Sequence, residues 1–218
     1  MNMIPVIAID GPSASGKGTV AQQVARRLGY HYLDSGALYR IVALAGLKQG
    51  ISWQDEAALA QVAVGLAIHF DNGEIFLNGE NVSDAVRSEE MSRGASEVAV
   101  HPAVRSALFE LQRSFRKAPG LVADGRDMGS VVFPDAATKI FLTASAEVRA
   151  ERRYKQLMEK GIAANMADIL QDLQARDTRD RARIVAPLQQ CADAILLDTD
   201  HLTIEQAVQA VLDFQSRH

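Results

Sequence analysis

The chain has 218 residues, 48% of them hydrophobic, which suffices to bury a full core in one or two domains. Its 23 Lys and Arg against 27 Asp and Glu give a net charge of −4, which excludes the basic excess expected of a general nucleic-acid binder. The single cysteine, Cys191, excludes an intramolecular disulfide and a multi-cysteine zinc site, and no apolar run reaches the roughly 18–20 residues of a membrane span.

At the N-terminus there is no cationic leader, and the apolar stretch is too short for a signal peptide, so a cytoplasmic protein is expected. Pro5 to Asp10 is continuously apolar until its last residue, the pattern of a buried strand. It breaks into Gly11-Pro12-Ser13-Ala14-Ser15-Gly16-Lys17-Gly18-Thr19, after which Val20, Val24, Ala25 and Leu28 recur at helical spacing. A glycine loop between a strand and a helix N-terminus is the context of a phosphate-binding P-loop. Successive backbone N–H groups turn inward on an anion, the helix dipole adds partial positive charge, and Lys17 supplies a mobile cation. Gly18 departs from the common pattern, which has Ser or Thr there; the hydroxyl comes one residue later, on Thr19. The bland alternative is a glycine-rich turn with a lysine beside it by chance.

Tyr30 to Leu33 reads as a second short strand, Ser35 to Lys48 as a helix stopped at Gly50, and Asp55 to Leu66 as another helix. From Ile68 to Val82 the period changes to short β-prone runs flanked by Asn72-Gly73 and Asn78-Gly79, which suggests an antiparallel insert. Leu121 to Asp124, Lys139 to Leu142 and Ala194 to Asp198 read as buried strands, and Thr203 to Gln215 as a closing helix. Between them, Ala146 to Arg183 is helical and charged, interrupted at Gly161. Strands separated by helices predict an α/β fold: a P-loop NTPase core with a five-stranded parallel sheet, plus a small antiparallel insert and a helical lid. The expected division is one domain over 1–218, with core about 1–60, 92–145 and 184–218, insert about 61–91 and lid about 146–183. Cys191 reads as a small core residue, and the five histidines form no i, i+4 ligand pair.

Asp124 ends its strand as a Walker-B-like acid would, near phosphate-bound Mg²⁺; a strand-end Asp-Gly turn is the alternative. Arg126 and Asp127 follow at the carboxyl end of the sheet, where ligands bind in open α/β folds. In Arg176-Asp177-Thr178-Arg179-Asp180-Arg181-Ala182-Arg183, a continuous helix sets Arg176, Arg179, Asp180 and Arg183 on one face. A solvated surface helix laced with i,i+4 ion pairs is the competing reading. Four arginines without a lysine suit bidentate phosphate recognition, and Arg152, Arg153 and Lys155 extend the cationic supply.

These residues resemble those of the bacterial cytidylate (CMP/dCMP) kinases, in the nucleoside monophosphate kinase superfamily. The resemblance covers nearly the whole chain and rests on Ile9-Asp10-Gly11-Pro12-Ser13 with Gly16-Lys17-Gly18-Thr19, on Asp34-Ser35-Gly36-Ala37-Leu38-Tyr39-Arg40 and on Ala123-Asp124-Gly125-Arg126-Asp127-Met128-Gly129. It continues through Val132-Phe133-Pro134-Asp135-Ala136 and the arginine cluster. The resemblance implies that the two inserted segments are a small monophosphate-binding insert and a helical lid, and that the chain transfers the ATP γ-phosphoryl group to CMP or dCMP. It implies ATP on the loop Gly11 to Thr19, and Lys17, Arg126 and Arg176 as the catalytic residues. It further implies Ser35, Arg105, Asp127 and Arg183 around the cytosine, Ser96, Arg176 and Asp180 at the sugar, and Arg40 and Arg126 at the acceptor phosphate. Arg105 and Ser96 come from the resemblance alone; by pattern Ser96 is an ordinary helix residue. The family's Gly-Lys-Gly-Thr form assigns no protein metal ligand, so Mg²⁺ is expected to be held mainly by nucleotide phosphates and water. Partners are then the small-molecule substrates CMP or dCMP and ATP, with no nucleic acid, no membrane and a monomeric chain.

A kinase for another small acceptor is the nearest competing function. A GTPase-like switch would require an Asn-Lys-x-Asp motif, which the chain lacks, and an RNA-binding module is disfavoured by the acidic balance.

Overall fold

A computed structural model describes residues 3–71 and 74–216. In chain order the elements are β1 (Val6–Asp10), α1 (Lys17–Leu28), β2 (His31–Asp34), α2 (Ser35–Lys48), α3 (Glu56–Val64), β3 (Ile68–Asp71), β4 (Glu74–Leu77), β5 (Glu80–Asn81) and α4 (Ser83–Val86). Then follow α5 (Glu89–Val98), α6 (Pro102–Arg113), β6 (Leu121–Gly125), a π-helical turn (Met128–Val132), β7 (Thr138–Thr143), α7 (Ala146–Glu159), α8 (Met166–Arg181), β8 (Ile195–Asp198) and α9 (Ile204–Gln215). The chain forms two compact units, one of Met1–Leu33 with Phe115–His218 and the other of Asp34–Ser114.

In the first unit the strand order is β2-β6-β1-β7-β8, with β1 parallel to both β6 and β7 and β7 parallel to β8. This is the expected five-stranded α/β sheet. Central β1 and β6 are buried at every position, which explains why their sequences are apolar runs rather than alternations. One face packs against α1 and α9 through Ile7, Ile9, Val20, Val24, Val122, Ile140, Leu142, Val208 and Val211. The register pairs Ile9 with Asp124 and Asp10 with Gly125, so the segments after β1 and β6 leave the sheet at one level. Gly29 ends α1 in the left-handed region (φ 66°), with its N–H on the last-turn carbonyls.

In the second unit α2 packs against α5 and α3, and α3 against α6. Small residues set these approaches: a Cβ on Gly94 would lie 2.7 Å from the Trp53 ring, and one on Gly46 2.8 Å from Leu59 Cδ2. Asp34, Asp55 and Ser88 cap α2, α3 and α5 by accepting a backbone N–H three residues on. The insert is an antiparallel sheet of order β3-β4-β5. Asn78 (φ 51°) and Gly79 (φ 81°) make its two-residue turn, both central residues having the positive φ that selects Asn-Gly. The Asn72-Gly73 signal lies outside the described residues.

Three expectations are corrected. The helix expected over 55–66 ends at Val64. The helical segment 146–183 is interrupted around Gly161 (φ 71°) as expected, but α8 stops at Arg181, so Arg183 lies beyond it rather than on its face. Cys191 is only half-buried, because it sits in the irregular stretch before β8 rather than in an element facing the core.

Candidate active site

The loop after β1 has the shape its glycines require. A Cβ on Gly11 would fall 2.0 Å from the carbonyl oxygen of Leu142 in β7, so only glycine lets the loop leave the sheet there. Gly16 (φ 89°) caps α1 in the left-handed region. The Lys17 side chain is buried, with Nζ donating to Pro12 O at 3.2 Å and lying 3.8 Å from Asp124 Oδ1. Tyr32 donates to the other carboxylate oxygen of Asp124 at 3.4 Å. A Cβ on Gly18 would lie 2.9 Å from that same Oδ2. The missing Ser or Thr at position 18 therefore has a physical reason: the Asp124 carboxylate takes up its space. The Ser15 hydroxyl is buried in the loop without a hydrogen-bond partner.

Two arginines of α7 support the loop from behind. Arg149 donates from Nη1 to Ser13 O at 3.1 Å, and Arg152 from Nη1 to Ser15 O at 3.1 Å. With these carbonyls drawn outward, backbone N–H groups of the loop are left to face an anion. Arg149 also grips Asp177 of α8, at 2.6 Å (Nη2 to Oδ2) and 3.1 Å (Nη1 to Oδ1). Arg152 reaches Thr199 O (2.5 Å) and Thr199 Oγ1 (3.1 Å) after β8.

Arg126, Asp180 and Arg183 come together in the same unit. Arg126 Nε donates to Asp180 Oδ2 at 3.0 Å, and Arg183 Nη2 donates to Asp180 Oδ1. The chain doubles back after α8, Leu188 N–H bonding to Asp180 O at 2.8 Å, and Arg183, just past the helix end, keeps the i,i+3 contact with Asp180. Burial acts to raise the Asp180 pKa, but the charges of Arg126, Arg183 and Arg176 outweigh it and hold the carboxyl below its ordinary range. Arg179 is exposed. Asp127 is buried at the end of β6, and Asp10 accepts the N–H groups that follow it. Burial pushes the Asp10 carboxyl up to about 7, helped by the negative charges of Asp127 and Asp124 and opposed by those two backbone N–H groups.

The second unit carries Ser35, Arg40, Ser96 and Arg105. The buried Ser35 hydroxyl donates to Gln112 Oε1 at 3.0 Å, joining α2 to α6. Arg105 donates to Ala99 O at 3.2 Å and lies 5.5 Å over the Tyr39 ring. Arg40 faces Asp34 at 3.8 Å. Ser96 is almost fully buried, and its hydroxyl has no hydrogen-bond partner. A hydroxyl kept dry and unpaired on a helix facing α2 is a costly feature for stability alone.

Sequence reasoning missed Arg149, Arg152 as a loop support, and Asp177, to which it gave no role. The signal available was weak: Arg149 is one arginine in a charged helix, and its partners lie 136 and 28 residues away. Among the described residues no group of three or more His, Cys, Asp or Glu side chains is gathered to hold a metal ion, and no helix is long and apolar enough to cross a membrane.

The family model described as cytidylate kinase matches residues 7–217. A cytidylate kinase of Chromobacterium violaceum is 62% identical over 97% of this chain and 95% of its own length. One of Polynucleobacter necessarius subsp. necessarius is 61% identical over 98% of this chain and 100% of its own. Among solved structures, a gluconokinase from Sinorhizobium meliloti superposes with a TM-score of 0.51 at 15% identity, covering 100% of this chain and 94% of that one. That likeness bears on the fold.

Proposed function

The chain belongs to the cytidylate kinase family, and from that premise we propose that it transfers the γ-phosphoryl group of ATP to CMP or dCMP, giving ADP and CDP or dCDP. The observation that carries this reading is the family match over residues 7–217. The geometry supports it: a β1–α1 loop that admits no side chain at Gly11, with Lys17 folded over it, suits the phosphates of the donor. The loop Gly11, Pro12, Ser13, Ala14, Ser15, Gly16, Lys17, Gly18 and Thr19 binds ATP. Mg²⁺ carried by the nucleotide would offset charge on the transferring oxygens, and Asp124, beside Lys17, is the carboxylate of this chain fitted to hold water on it.

For the acceptor, Arg126 and Arg40 take the 5′-phosphate, Ser96, Arg176 and Asp180 the sugar, and Ser35, Arg105, Asp127 and Arg183 the base. Asp127 accepts from the exocyclic amino group of cytosine; uracil presents a carbonyl there, so two acceptors would oppose each other. The phosphate of CMP, with a second pKa of about 6, is mostly dianionic at neutral pH and attacks without a general base. Lys17, Arg126 and Arg176 stabilise charge in the transition state, and closure of the α7–α8 segment as a lid would exclude water.

A coupled assay with ATP–Mg²⁺ across CMP, dCMP, UMP, AMP and GMP tests the reading. CMP and dCMP are expected to exceed UMP in kcat/KM by at least about tenfold. UMP turned over as fast as CMP would overturn the base assignment, and no activity on any acceptor would overturn the function. Sedimentation is expected to show a monomer.

A further inference from the structure

We propose that Asp10 is a positioning residue for base discrimination, its carboxylate holding the backbone turn that begins at Asp127. Oδ1 of Asp10 accepts the N–H of Met128 and Oδ2 accepts the N–H of Gly129, each at 2.8 Å. These are the first two residues of the π-helical turn, whose opening N–H groups have no partner within the turn itself. The later N–H groups of Val131 and Val132 return to Asp127 O at 2.9 and 3.2 Å. The segment is thus tied to β1 by its leading N–H groups and to the Asp127 carbonyl by its later ones.

Little room is left for the turn to slide. Met128 is fully buried, with its side chain under Gly125. A Cβ on Gly129 would meet Lys139 Cδ at 3.2 Å and Asp10 Oδ2 at 3.4 Å. The titratable groups around Asp10 are Asp124 and Asp127 at the end of β6, Lys139 of β7, and the Cys191 thiol on the segment before β8. Two carboxylates beside a third are unfavourable, so a buried acid here needs a specific return. The return is a bond set that a carboxyl group completes with its two oxygens: an asparagine would turn an NH₂ toward one of the two N–H donors.

The inference rests on the reading of Asp127 as acceptor from the cytosine amino group. The test is steady-state kinetics with CMP and with UMP for wild type, Asp10→Asn and Asp127→Ala. Asp10→Asn is expected to raise KM for CMP and to lower the CMP-to-UMP ratio of kcat/KM, each by about tenfold, with KM for ATP unchanged within about twofold. A purely structural role would depress both acceptors and ATP together. If Asp127→Ala collapses the ratio while Asp10→Asn keeps it, the role of Asp10 is overturned and the reading of Asp127 stands. A ratio unchanged in Asp127→Ala removes that reading and the present inference with it. Should Asp10→Asn not fold, amide exchange in the wild-type protein decides: protection of the Met128 and Gly129 N–H groups supports the clamp, and exchange at open-loop rates overturns it.

Discussion

The guanidinium of Arg149 and the carboxylate of Asp177 form a two-pronged ion pair, 2.6 and 3.1 Å, with both side chains buried. Through its remaining bonds to Ser13 O and Ala144 O, Arg149 makes one unit of the donor loop, the end of β7 and the helix that carries Arg176 and Asp180.

Breaking this pair leaves an uncompensated charge. Asp177→Ala is expected to lower stability by about 3–5 kcal/mol, the range for removing one partner of a buried pair. Urea unfolding followed by circular dichroism measures it. A loss below about 1 kcal/mol would show that water reaches Arg149.

Lys17→Ala removes the cation over the donor loop and is expected to lower kcat by about 100-fold or more, the scale for one charge-stabilising donor. The variant should keep its fold, because Lys17 bonds to Pro12 O at the mouth of the loop rather than packing in the core. Turnover near that of wild type would refute the role.

Gly11→Ala tests geometry rather than chemistry. The added Cβ falls 2.0 Å from a strand carbonyl, so β7 or the loop must move. A loss of stability of more than about 3 kcal/mol is expected, in the class of overpacking and backbone strain, together with loss of ATP binding in calorimetry.

Two carboxyls of the first unit predict opposite pH effects. Asp180 is held below its ordinary range against burial by Arg126, Arg183 and Arg176, so its contribution is present above the unfolded pKa of 3.8 and is lost as pH falls below it. Asp10 is pushed up from 3.8 to about 7, so the folded state keeps a proton that the unfolded state releases. Its contribution is therefore full below pH 3.8 and is lost as pH rises toward 7, at up to about 1.4 kcal/mol per pH unit. Denaturation between pH 3 and 8 should show Asp180→Asn flattening the acid limb and Asp10→Asn flattening the slope from pH 4 to 7. A variant that leaves its limb unchanged would contradict that assignment.

Local signals made much of this molecule legible. Ser35–Lys48 was readable as α2 because its apolar residues keep helical spacing up to the stop at Gly50, and Asn78-Gly79 announced its turn because both residues need positive φ. The P-loop carried its own context in strand, glycines and helix. What stayed hidden depends on the return of distant chain. Arg183 was grouped with Asp180 through a helix that in fact ends at Arg181; their i,i+3 contact persists past the helix end, whereas the return of Leu188 N–H to Asp180 O had no signal in the sequence. Asp10 read as the end of a strand, since its two partners lie 118 and 119 residues away. The resemblance supplied Ser96 and Arg105, for which no period or spacing speaks.

The supports of the donor loop also fix an order of events during synthesis. Residues 11–19 leave the ribosome well before residues 138–152, yet those later residues hold the strand β7 that flanks β1 and the guanidiniums bonded to Ser13 O and Ser15 O. A nascent chain halted before Ser145 would contain every residue of the nucleotide motif and neither arginine that holds its carbonyls. The donor loop thus depends for its working shape on residues made well after it, and the nucleotide motif and its supports are joined only once that later chain is present.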